Sequence, residues 1–141
     1  MERSTVTGKR NFDKGFSLLE LMISMFIMII LLSIAVPTYQ RSVQHAQETV
    51  LLGNIREMQR AIDQYTTDKG KLPKSIDDLV DAKYLRERPV DPTLETTEWE
   101  EVHGPDPNSS EGEEGLVDVR STNTGQDTEG KPYSEYGAPS H

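Results

Sequence analysis

The sequence predicts an α+β protein built on one long N-terminal helix, and three observations carry that reading. Residues 16–36 form an apolar run whose one charge is Glu20. Beyond Pro37, apolar side chains recur at three- and four-residue spacings as far as Tyr65, the period of a helix with one buried stripe. Past residue 98, short stretches alternate with the two-residue period of strands. A helix with a membrane half and an amphipathic half satisfies all three. It would pack against a small head holding a short helix and a two- to three-stranded antiparallel sheet.

The chain opens with a hydrophilic leader, residues 1–15, in which Arg3, Lys9, Arg10 and Lys14 outnumber Glu2 and Asp13. Residues 16–36 follow, long enough as a helix to cross a hydrocarbon core of about 30 Å. By the positive-inside rule the N-terminus stays cytoplasmic and everything after Val36 is exported. An acid in such a segment costs roughly 3 kcal/mol on insertion scales, so Glu20 calls for a partner. Two other readings fit the run: a secretory signal peptide cut near Ser33-Ile34-Ala35, or a plain anchor on an exported domain. Neither accounts for a carboxylate five residues after a Lys-Gly junction.

Residues 37–69 read as an amphipathic stem. Val43, Ala46, Val50, Leu51, Ile55, Met58, Ala61, Ile62 and Tyr65 make the predicted stripe, with Gln44, Gln47, Glu48, Asn54, Glu57, Gln59 and Asp63 between them. Pro37 removes a backbone donor and predicts a kink or local loosening. Gly53 is a second weak point, and Gly70 with Pro73 marks the stop.

The head, residues 70–141, starts with Ser75 as an N-cap, Asp78 three residues on, and Ile76, Leu79 and Val80 as the buried face of a short helix. Tyr84-Leu85 packs under the following loop, and Pro89 and Pro92 bracket an extended segment. Residues 98–103 alternate loosely around Trp99 and Val102, and residues 116–120 are the cleanest strand. Residues 104–115 read as a turn-rich acidic loop, and residues 121–141 as a tail with little regular structure.

Charge is unevenly placed. Residues 91–141 hold 2 basic and 13 acidic groups, whereas residues 16–90 hold nine of each. An acidic head lacks the basic footprint of nucleic-acid binding, so no nucleic-acid partner is expected. There are no cysteines, so a small exported head must be held by packing on the stem, by neighbouring subunits or by a metal. His45, His103 and His141 are scattered, and no nucleophile, phosphate-loop or zinc motif is present. The reading is not an enzyme; an anchored exported enzyme or binding domain is the alternative from another class.

Lys14-Gly15-Phe16-Ser17-Leu18-Leu19-Glu20, with Pro37 closing the apolar run, resembles the N-terminus of type IV prepilins and of the pseudopilins of type II secretion. The order Leu72-Pro73, Leu79-Val80, Tyr84-Leu85 and Arg88-Pro89-Val90-Asp91-Pro92 is most similar to the major pseudopilin. The resemblance implies a prepilin peptidase that cuts after Gly15 on the cytoplasmic side and N-methylates Phe16. The helix would stay in the inner membrane as a single pass, with the head in the periplasm. It also implies helical self-assembly with minor pseudopilins, driven by an inner-membrane platform, into a fibre that moves proteins out. Glu20 and Pro37 are then assembly residues, with Glu20 facing the amine of its own or a neighbouring Phe16. A type IV pilin subunit for adhesion, motility or DNA uptake remains the alternative. In the major pseudopilins a loop after the last strand binds calcium; its nearest matches here are Asp127, Glu129 and Glu135, which otherwise read as solvated loop charges. No other cofactor is expected.

Overall fold

The computed structural model describes Arg3, Gly8 and residues 15–139. Apart from Arg3, Gly8 and Gly15, the expected leader lies outside the described residues, and so does His141. The chain divides into two compact units, Met1–Thr38 and Tyr39–His141. The elements are α1 (Leu18–Lys69), α2 (Ile76–Asp81), β1 (Glu100–Pro105), β2 (Glu114–Arg120) and a 3-10 turn at Tyr133–Glu135.

In the first unit α1 starts behind Ser17, whose Oγ accepts the Glu20 N–H at 3.1 Å. That bond satisfies one of the donors a helix start leaves unpaired. From Phe16 to Val36 every large apolar side chain is exposed. Residues 18–36 extend about 28 Å at 1.5 Å per residue, and the helix is long and apolar enough to cross a membrane. Apolar on all sides, it has no face suited to water. α1 runs on through Pro37, where the Thr38 hydroxyl donates to the Ile34 carbonyl at 2.9 Å.

In the second unit the stem part of α1 contributes Leu51, Ile55, Met58, Ala61 and Ile62 to the core. α2 adds Ile76 and Leu79, the sheet adds Leu116 and Val119, and Leu85, Trp99, Tyr133 and Tyr136 complete it. One correction to the predicted stripe follows. Val43 and Val50 are 40% and 51% exposed and Ala46 is exposed, whereas Glu48 is buried. At 100° per residue, Val43, Ala46 and Val50 lie on a second seam roughly a third of a turn from the row 48, 51, 55, 58, 62. Spacing alone merges two adjacent seams into one.

The helix stops at Lys69, with Gly70 in the left-handed region at φ +70°. The cap of α2 differs from the capping box expected at Ser75. Its backbone is extended as a cap should be, but its hydroxyl makes no cap bond. The Ile76 N–H donates instead to Glu101 Oε1 at 3.0 Å, and Asp78 Oδ2 accepts the Lys74 N–H at 2.8 Å. β1 presents Glu101 just where the helix start needs an acceptor, so the local cap is replaced by one from across the fold.

β1 and β2 pair antiparallel from Glu100↔Arg120 to Pro105↔Glu114, with a bulge between Val102 and His103. The strands therefore reach into residues 104–115, expected as loop. Asp106 explains this. It is 7% exposed, its Oδ1 accepts the Asn108 N–H at 2.9 Å, and its Oδ2 accepts the Leu72 N–H at 3.1 Å. One carboxylate thus ties the hairpin turn to the segment after the stem. Gly115 permits the approach, since a Cβ there would stand 2.5 Å from Leu72 Cβ. The tail carries an isolated bridge, Gln126↔Pro132, and the 3-10 turn. Tyr133 and Tyr136 draw it into the core.

Candidate functional site

Two places carry the residues singled out from the sequence. The first is the junction before α1. Gly15, Phe16 and Ser17 are non-helical and exposed, and Phe16 is 89% exposed. A Cβ at Gly15 would meet nothing within 4 Å. The Gly15–Phe16 peptide bond is thus an accessible stretch of backbone directly ahead of the helix. Glu20 lies in the first turn of α1, where the positive end of the helix dipole favours a carboxylate by about 0.3–1 kcal/mol. Ser17 was not singled out from the sequence, although Ser17-x-x-Glu20 has the form of a capping box. Pro37, in the same unit, sits inside the helix.

The second place is the tail where it crosses the stem. Asp127 Oδ1 accepts the N–H groups of Glu129 and Lys131 at 2.9 and 2.8 Å, and Oδ2 accepts the Tyr136 hydroxyl at 2.6 Å. The Tyr136 hydrogen bond, aided by the two backbone donors and the charge of Lys131, holds the Asp127 carboxyl below its usual range against a smaller opposing effect of burial. Burial and Asp127 push the Tyr136 hydroxyl far above its usual value. Next to it, Glu48 Oε1 accepts the Tyr133 hydroxyl at 3.2 Å and the Thr128 N–H at 3.4 Å. Burial is the largest cause raising Tyr133 as well. A cavity of about 250 Å3 opens here, lined by His45, Glu48, Asp127, Glu129, Lys131 and Tyr136 among others.

Asp127, Glu129 and Glu135 do not fit a calcium ion. Calcium takes six to eight oxygens at 2.3–2.6 Å, and the Asp127 oxygens already face three donors. Glu129 and Glu135 are exposed, and among the described residues no three His, Asp or Glu side chains are placed to hold a metal. Glu48, one of the polar positions between those of the predicted stripe, is buried. Its spacing of three and seven from Leu51 and Ile55 was the signal that it faces the core.

The described geometry is that of a helix-led α+β protein whose exposed N-terminal junction precedes an apolar helix. Comparison with known proteins gives two partial likenesses. Residues 10–36 match the family described as the prokaryotic N-terminal methylation motif. The chain is also 41% identical over 64 residues to fimbrial protein Q of Moraxella bovis, a stretch that covers 45% of this chain and 40% of that protein. The match thus spans less than half the length of that relative. No solved structure matches the chain. The motif and the fimbrial relative are each likenesses of part of the chain, the first confined to its N-terminal stretch.

Proposed function

We propose that the chain is a structural subunit of a type II secretion pseudopilus. In this reading the peptidase removes residues 1–15, Phe16 becomes the methylated N-terminus, and the helix holds the protein in the inner membrane with its head in the periplasm. An assembly platform then draws subunits, with minor pseudopilins, into a periplasmic fibre. The observation that carries the reading is the apolar helix with every large side chain from Phe16 to Val36 exposed. Such a surface is satisfied by lipid before assembly and by other copies of itself afterwards. The Asp91-Pro92 segment supports secretion over the pilus.

A second reading, a type IV pilin, is favoured by the name of the fimbrial relative. Deleting the gene separates the two. Loss of exported proteins from the medium with surface fibres unchanged supports the pseudopilin, and loss of surface fibres with export intact supports the pilin. Processing is tested by Gly15→Val. The cut requires a residue without a side chain at a confined site, so this variant should accumulate as full-length precursor with Phe16 unmethylated. Normal cleavage of Gly15→Val would remove the basis of both readings.

A further inference from the structure

We infer that the C-terminal tail is clasped to the stem by a protein-only network centred on Asp127, and that the second unit folds without a divalent cation. The oxygens that a metal would need are already engaged. Besides the three donors on the Asp127 carboxylate, the backbone carbonyls of the tail accept N–H groups from within it. Gly125 O accepts from Tyr133, Lys131 O from Asp127, Asp127 O from Gly130, Pro132 O from Glu135 and Glu135 O from Ala138, at 2.9–3.1 Å. Amide hydrogens aimed at Asp127 Oδ1 present the positive ends of dipoles to the place a cation would occupy. Lys131 adds a full positive charge, its Nζ lying 5.3 Å from the Tyr136 ring centroid. A cation entering here would have to expel donors and sit beside a lysine.

The clasp also reaches the stem. Gln59 Nε2 donates to the Gly137 carbonyl at 2.8 Å and to Asp118 Oδ1 at 3.0 Å, and the Tyr133 hydroxyl reaches Glu48. The tyrosine rings pack edge to face, with centroids 5.5 Å apart. The tail is therefore fixed at both ends of its last turn by groups of the chain itself.

The test uses the full chain in detergent micelles, melted with near-ultraviolet circular dichroism in calcium chloride and in a calcium chelator. The two midpoints should coincide, and calorimetric addition of calcium should give no saturable heat. A midpoint several degrees higher in calcium, the sign of a ligand bound only by the folded state, would overturn the inference. In the wild-type chain the Glu129 and Lys131 amides should exchange slowly in chelator. Fast exchange there that calcium slows would show that the metal, and not Asp127, closes the loop. Tyr136→Phe should melt lower than wild type by the same interval in both media; unchanged melting would show that the hydroxyl holds nothing.

Discussion

Gly137 joins backbone conformation to packing in one residue. Its φ is +78°, and a Cβ on it would stand 2.5 Å from Ile55 Cγ2. Gly130 has a similar φ, +84°, but its Cβ would meet only Gln126 Oε1 at 3.5 Å. Gly130→Ala should therefore cost about 1 kcal/mol, the conformational term alone. Gly137→Ala adds overpacking and should cost about 2–4 kcal/mol. Denaturant melts of the two variants check the difference, and equal costs would mean that the tail yields without penalty. Asp127 gives a pH dependence with a definite sign. Its folded pKa lies below the unfolded value of about 3.9, so its contribution is complete above that value and fades as pH falls through the folded one. Tyr136 and Tyr133 have raised folded values, so theirs is complete below about pH 10 and is lost as pH rises through the folded ones. Asp127→Asn should remove part of the acid-induced loss, as acid titration of the near-ultraviolet signal would show.

At the scale of elements, α2 tests whether a cap belongs to its own sequence. Ser75 occupies the cap position without bonding, while Glu101 from β1 accepts the Ile76 N–H. Ser75→Ala should be close to neutral, and Glu101→Ala should cost about 1 kcal/mol, the usual loss when a cap acceptor is removed. Thermal melts of both variants decide, and the reverse ranking would restore the local capping box. The same contrast marks what was legible beforehand. The long helix, α2 and the strand around Leu116 to Val119 were readable because their period or end signals are local. The Glu101 cap, the Asp106 tie and the Tyr133 partner of Glu48 were not, because each lies far along the chain from the group it meets. The stem stripe was misread for another reason: Val43, Ala46 and Val50 share the helical period of the core row but lie on a neighbouring seam. At the junction before α1, motif and helix start could both be read, whereas the hydrogen bond from Tyr136 to Asp127, 9 residues apart, has no signal in the loop's sequence.

For the whole molecule the two units pose different chemical problems. In the first, residues 16–36 carry exposed apolar side chains and a single charge, Glu20. On the proposed assembly, Glu20→Ala should leave cleavage intact and membrane insertion intact or improved, because an acid in lipid costs roughly 3 kcal/mol. Incorporation into fibres should fail, since the cation at a neighbouring Phe16 would lose its partner; sheared-fibre preparations measure this. Fibres formed from Glu20→Ala subunits alone would show that the carboxylate does not set the register. The second unit holds the chain's one tryptophan, Trp99, 6% exposed, with its Nε1–H donated to the Pro89 carbonyl at 2.8 Å. Residues 16–36 contain neither tryptophan nor tyrosine. Excited at the red edge of its absorption, the full-length protein therefore emits from the second unit alone. A red shift in that emission reports its opening to water, and the apolar helix of the first unit stays optically silent while it happens.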